Sequence, residues 1–384
     1  MTSIDNITNK FWSAVVKSTA TNVFSLAIFR ILTGAFLLLV LTINYAWMAD
    51  LPLALFTPPV LSPINLFAAG FPHKAWLLIA DFVLLLTPIA IILGIKPRIA
   101  TLLFAVTRLI VLNYQYAFGK IDHEILLATM LVCMAFSGWG QRLALWPDKA
   151  SKYDSTSKSL ALLAVLICFG YFSAAFEKAI FWLNLDMNTT GSARWFYNSL
   201  YNYQREPLLA PLLKMSPFWV FKAMDITGVI FELLPFAALL YSRKLWQSWL
   251  LLAAGFHLVN LLFFNINFIV NGIVYLAFID YTTIYATVRR LIATPWFKAA
   301  VAGIIIYAAY VRVVSILNFE KIGIVFLPYS INMQLYGMVS LWLLICTTML
   351  IGILYSKEET TLSRADILSQ QLHKSNLIDH QTTI

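Results

Sequence analysis

The chain has 384 residues, of which 60% are hydrophobic and only 12% charged, with a mean hydropathy of +0.78. A water-soluble domain of this length cannot cover that much apolar surface, so the composition excludes a soluble globular enzyme and predicts a polytopic membrane protein. The net charge of +9 does not point to nucleic acid, because Lys and Arg fall mainly in short connections between apolar runs, where they set orientation.

Taken in order, residues 1–21 are polar and read as a cytoplasmic N-terminal tail. The first apolar run is too long for a secretory h-region and reads as a retained span. Ten spans are predicted at 22–44, 74–93, 98–114, 124–137, 160–183, 217–240, 245–264, 266–285, 297–317 and 334–355. Together 22–355 form one transmembrane domain, and 356–384 form a polar cytoplasmic C-terminal tail. All spans are expected to be α-helices, since a lipid-exposed backbone must satisfy its own hydrogen bonds and no strict alternation suggests a barrel. The fold class is therefore all-α, a helical membrane bundle of about ten spans.

Orientation follows from the basic residues. Lys10 and Lys17, Lys96 and Arg98, Arg142 to Lys158, Arg243 and Lys244, Arg289 to Lys298, and Lys357 with Arg364 all fall on alternate connections. Placing these inside puts both termini in the cytoplasm. The opposite, outer connections hold Asp50, His73, the stretch 113–124, the long segment 184–216, and Glu320 with Lys321. Of these, 47–73 carries Pro52, Pro58, Pro59, Pro63 and Pro72, which suits an interfacial or re-entrant segment. The segment 184–216 carries Trp195, Tyr197, Tyr201 and Tyr203, as a headgroup-level aromatic belt does; a cap over a substrate is the other reading.

The chemistry concentrates at one step. Lys120, Asp122, His123 and Glu124 lie within five residues where an apolar segment begins, and in a helix Lys120 meets His123 and Glu124 on one face. Arg30, Asp81, Arg108, Glu177, Lys178, Asp225, Glu232, His257, Asp280 and Arg312 lie within the spans. A charge at a helix centre costs about 2.5–3.5 kcal/mol on insertion scales, so each needs a partner or a task. A structural network is the ordinary reading, with Asp81 and Glu232 as partners for Arg30 and Arg108. His257 and Asn260 share a helix face, ahead of Asn265, Asn267 and Asn271. A lone histidine is more often an interhelical donor than a catalyst. If its helix faces Lys120 and His123, a pocket with Lys, two His and Asn opens outward, as general acid–base chemistry requires. Helix rise leaves the two sets about 10 Å apart along the membrane normal. The histidines at 73, 123, 257, 373 and 380 have no metal-ligand spacing, and no phosphate-binding glycine motif is present. Cys133, Cys168 and Cys346 form no C-x-x-C pair and read as inert.

Four stretches in chain order carry a family likeness: 26–34 (LAIFRILTG), 119–123 (GKIDH), 171–178 (YFSAAFEK) and 256–264 (FHLVNLLFF). Their combination resembles the HTTM family, the membrane domain shared with vitamin K-dependent gamma-carboxylase, over roughly the first three quarters of the chain. The resemblance implies that Lys120 is the base that deprotonates a quinone-derived or vitamin K-type hydroquinone on the outer side, with His123 beside it and His257 and Asn260 as a polar pair. The candidate catalytic set is thus Lys120, His123 and His257. The candidate substrate-binding set is Asn260, Asp122, Glu177 and Lys178, and no metal is expected. The sequence departs from the carboxylase in two ways. Asp122, His123 and Glu124 lead directly into Leu126 and Leu127 instead of an Asn-Asn-His-rich stretch, and the large lumenal region has no counterpart. A small bacterial member used in maturing an exported toxic peptide offers another outward role.

The leading expectation is a multi-pass protein of the cell membrane, the inner membrane in a bacterium, that modifies or matures an exported peptide or a lipid-soluble substrate. A transporter or a lipid- or quinone-binding carrier is the alternative, favoured by the intramembrane charges but by no inverted repeat. A non-enzymatic scaffold or immunity-type partner is the third.

Overall fold

The computed structural model describes residues 3–60, 62–118, 124–186, 189–320, 322–328 and 330–355. The described residues form helices and no strand; one isolated bridge joins Ile95 and Trp146. An amphipathic helix α1 (Ser3–Ser18) precedes α2 (Val23–Leu39), and after short 3-10 turns come α3 (Lys74–Leu93), α4 (Pro97–Gln115) and α5 (Ile125–Ala135). The long α6 (Thr156–Trp182) leads to two short helices, α7 (Gly191–Tyr201) and α8 (Ala210–Lys214). Then follow α9 (Phe218–Leu233), α10 (Pro235–Tyr241), α11 (Arg243–Phe264), α12 (Ile269–Tyr275), α13 (Thr282–Ala293), α14 (Pro295–Asn318) and α15 (Ile331–Leu354).

Six of these, α3, α4, α6, α11, α14 and α15, are long and apolar enough to cross a membrane. Counting three bent pairs as single spans raises the number to nine: α1 with α2 (68°), α9 with α10 (40°), and α12 with α13 (104°). The chain is thus an all-helical multi-pass membrane protein. All ten predicted apolar segments fall on helices, but α5 has only 11 residues and the predicted span 266–285 is broken at 279–281. The break is built by Asp280, which accepts from the Thr282 N–H at 2.9 Å, its hydroxyl at 2.6 Å and the Ser25 hydroxyl at 2.9 Å. A carboxylate capping α13 and bonded to α2 stops α12 from continuing. The bend between α9 and α10 falls at Pro235, which has no N–H to continue the helix.

Helix ends are set by local chemistry. Asn22, Ser155 and Ser242 cap α2, α6 and α11 by accepting from the backbone N–H three residues on. Gly94 ends α3 with φ of 69°, where a side chain would meet Ala144 at 2.5 Å. Helices α2 and α3 cross closely at Gly34, where an added Cβ would lie 2.7 Å from Ile92. Residues 3–18, within the predicted tail, form a helix that packs Phe11, Val15 and Ser18 toward α6, α10 and α11 and leaves Ile4 and Ile7 exposed.

The buried charges correct one expectation: Arg30 and Arg108 do not pair with Asp81 and Glu232. Arg30 donates to the carbonyls of Trp139, Arg142 and Leu143, and Arg312 to those of Leu38, Ile322 and Gly323. Asp81 accepts from the N–H groups of Tyr45 and Ala46 at 2.9–3.2 Å. Asp225 accepts from those of Gly191 and Ser192 at 2.7 and 2.8 Å, at the start of α7. Chain ends and turns offer unpaired backbone groups at fixed positions, and these satisfy a buried ion without a second charge.

Candidate functional site

A cavity of about 400 Å³ opens among the C-terminal ends of α2 and α4 and the N-terminal ends of α5 and α12. This is the end that the basic residues assign to the outside. Its inner wall is apolar: Phe36, Val40 and Leu41 from α2 and its continuation, Ile269 and Val270 from α12, and Met338 from α15. Its polar side carries Asn44, Arg108, Gln115, Glu124 and Asn267, with Tyr45, Trp47 and Phe268 between.

Each wall is held in place by a device described above or beside it. Asp81 grips the backbone of Tyr45 and Ala46 and so starts the 3-10 turn Ala46–Asp50, fixing the strip from Val40 to Trp47. Helix α11 ends at Asn265, which adopts a left-handed conformation (φ 54°) and donates its N–H to the carbonyls of Asn260 and Leu261. The chain then turns through Asn267, whose side chain accepts from the Ile269 N–H at 3.0 Å, and this aims Phe268, Ile269 and Val270 at the cavity.

Arg108, only 4% exposed, forms an ion pair with Glu124 and donates to the carbonyl of Thr42 at 3.2 Å. The Tyr45 ring covers the guanidinium at 5.3 Å. Asn44, 2% exposed, donates its amide to the carbonyls of Ser315 (3.1 Å) and Glu320 (2.9 Å). Arg108 Nε and Asn44 Oδ1 are two of several fully buried polar atoms, spread through the bundle, that have no hydrogen-bond partner among the described residues. No three His, Cys, Asp or Glu side chains among the described residues come together as a metal site.

His257 lies elsewhere. Its Nε2 is 2.8 Å from the Tyr171 hydroxyl and 2.9 Å from that of Tyr275, and the two hydroxyls are 2.6 Å apart. This knot joins α6, α11 and α12 deep in the bundle, with Trp342 at 5.5 Å from the imidazole. Phe268, whose ring centre is 4.7 Å from that of His257, also lines the cavity, so one aromatic ring touches both places.

The remaining predicted residues separate. Lys120, Asp122 and His123 lie outside the described residues; Gln115 and Glu124, which stand before and after them in the chain, both line the cavity. Asn260 is half-buried, and its carbonyl accepts from Asn265 and Ile266 at the end of α11. Lys178 pairs with Glu232 at 2.6 and 2.8 Å, whereas Glu177 is exposed on α6. None of His257, Asn260, Glu177 and Lys178 is among the residues that line the cavity. Sequence reasoning missed Asn44, Tyr171 and Tyr275. Tyr171 stands in one of the family-like stretches, but nothing in the sequence distinguishes Asn44 or Tyr275 from ordinary packing residues.

No family model matches the chain, and no curated protein and no solved structure does either.

Proposed function

We propose that this multi-pass protein of the cell membrane admits a lipid-soluble substrate to the outer-end cavity and acts on it, or through it on an exported peptide, with Lys120 as base and His123 beside it. The observation that supports this reading is that Gln115 and Glu124, on either side of 119–123, both line the cavity. A volume of about 400 Å³ lies in the range of small-molecule sites. In the proposed topology the chain crosses the membrane ten times with both termini in the cytoplasm, and the cavity faces outward.

A quinone-type group fits the residues present. Phe36, Val40, Leu41 and Met338 would hold an apolar ring, and the exposed side chains of Gln115 and Asn267 on the polar side would meet its oxygens. When bound, a hydroquinone supplies a reducing ring with an ionisable hydroxyl. Lys120 takes up a proton only as the neutral amine, a form that apolar surroundings favour.

The test is to identify by native mass spectrometry the molecule that purified protein retains, and then to follow its conversion. Lys120→Ala is expected to lower turnover by about 100-fold or more, as loss of a general base does. Undiminished turnover at normal protein level removes Lys120 from the chemistry.

A second reading, a carrier, is favoured by the Lys178–Glu232 ion pair, in which Glu232 is 5% exposed within an apolar helix. Substrate flux in proteoliposomes that changes with Glu232→Gln but not with Lys120→Ala would select it.

A further inference from the structure

We infer that α1 and α13 lie in the headgroup layer at one face of the membrane and hold anionic phospholipid there through Lys10, Lys17, Arg289 and Arg290. This inference does not depend on the cavity or on Lys120.

Three observations carry it. The first is direction. Helix α13 leaves α12 at 104° and α1 meets α2 at 68°, so neither continues the span beside it. An amphipathic helix turned this far from a span runs close to the membrane plane. One cluster ties the two turns together. Asp280 accepts from the Ser25 hydroxyl at 2.9 Å and from the Asn22 amide at 3.4 Å, and the Ser25 oxygen accepts from the Tyr281 N–H at 3.0 Å. The Phe24 ring meets that of Tyr285 edge-on at 5.0 Å. Both helices therefore leave the bundle from one joint.

The second is an apolar face that the bundle covers only in part. In α1, Ile4, Ile7, Phe11, Val15 and Ser18 follow at helical spacing; the bundle buries Val15 and Ser18, whereas Ile4 and Ile7 are 73% and 65% exposed. In α13, Ile284, Tyr285, Val288 and Ile292 share a half-buried face, and Leu291 beside them is exposed. Exposed Trp12 on α1 and Trp296 at the start of α14 add rings of the kind that favour the interface. The third is charge. The two helices carry Lys10, Lys17, Arg289 and Arg290, all exposed, against Asp5 alone. Lys10 and Lys17, two turns apart, share one flank of α1, and Arg289 and Arg290 lie off the apolar face of α13. Such a surface buries its apolar side among acyl chains and meets phosphates with its bases. A second copy of it would set these bases against four more, whereas an anionic leaflet neutralises them.

Each base at an anionic surface is worth about fivefold in partitioning. The full-length protein in detergent is mixed with equal amounts of phosphatidylglycerol and phosphatidylcholine, and the bound lipid is counted by native mass spectrometry. The wild type is expected to hold phosphatidylglycerol in about tenfold excess or more. Replacing Lys10, Lys17, Arg289 and Arg290 together by Gln is expected to lower that excess by about fivefold or more. Replacing Lys149 and Lys152, exposed bases outside any helix, by Gln is expected to leave it unchanged. Position is read from Ile7→Cys in a chain whose Cys133, Cys168 and Cys346 are replaced by Ala, labelled with bimane and returned to nanodiscs of the same lipids. A nitroxide near the headgroup end of the acyl chain is expected to quench the label, and aqueous iodide is not. An unchanged phosphatidylglycerol excess in the fourfold variant overturns the inference, as does an equal fall in the Lys149 and Lys152 variant. Quenching by iodide would place this face of α1 in water, and quenching by neither reagent would place a protein partner or a second copy over Ile7; either result overturns it too.

Discussion

The cavity and the Tyr171–His257–Tyr275 knot share one aromatic residue, Phe268, and treat polar atoms in different ways. In the knot, two hydroxyls and an imidazole nitrogen contact one another within 2.6–2.9 Å. Three helices are tied at one depth, and polarity is used as a clasp. In the cavity the polar wall closes one charge pair, Arg108 with Glu124, and adds the exposed Gln115 and Asn267. The difference separates two uses of polar side chains in an apolar bundle: one set ties buried helices together, and the other borders open space.

The largest expected effect comes from opening the cavity's ion pair. Glu124→Ala leaves the 4%-exposed Arg108 without its counter-charge. Breaking a buried pair from one side costs about 3–5 kcal/mol, and the lower end applies because the Glu124 side chain is 19% exposed. Thermal unfolding in detergent is expected to fall accordingly, with Glu124→Gln recovering part because its amide oxygen still accepts from Arg108. A Glu124→Ala protein that melts with the wild type would mean that the pair does not organise this wall.

The knot is expected to be cheaper to open and silent in binding. Tyr275→Phe removes one hydroxyl and leaves the Tyr171–His257 contact in place. The expected loss is about 1 kcal/mol. Retention of the copurifying molecule is expected to be unchanged, and a matching loss would join the knot to the site and return His257 to the catalytic set.

Much of this architecture is legible as apolar length. The runs around Lys74–Leu93, Thr156–Trp182 and Arg243–Phe264 locate helices to within a few residues, because a span must be both long and self-bonded. The fate of the charges is not legible in the same way. Arg30, Asp81 and Arg312 bond to backbone groups of distant turns, and a carbonyl or N–H carries no signature in sequence. Pairing charge with charge was the available inference; Arg108 and Glu232 do find charged partners, in Glu124 and Lys178, but for Arg30 and Asp81 turns supplied partners already in position. Glu124, the last residue of the polar step, lines the cavity. The cavity itself could not be read, because it is made by the ends of several helices that meet only in three dimensions. Residues 3–18 carry Ile4, Ile7, Phe11, Val15 and Ser18 at helical spacing, so α1 was present as a pattern within a segment read for its polarity.

The smallest effect tests the residue that belongs to neither region. Asn260 lies one turn beyond His257 on α11, and the sequence pairs them by spacing. In the fold its side chain is neither among the cavity's lining residues nor part of the knot, and its structural duty falls to its carbonyl, which receives the N–H groups of Asn265 and Ile266. Asn260→Leu keeps that carbonyl and a residue well suited to a helix interior. The change in stability is therefore expected to stay within about 0.5 kcal/mol. Retention of the copurifying molecule is expected to match the wild type, because Asn260 does not line the cavity. A tenfold loss of affinity in a protein that melts normally would contradict this separation: it would place the Asn260 amide against the ligand and extend the site from the cavity along α11 toward His257.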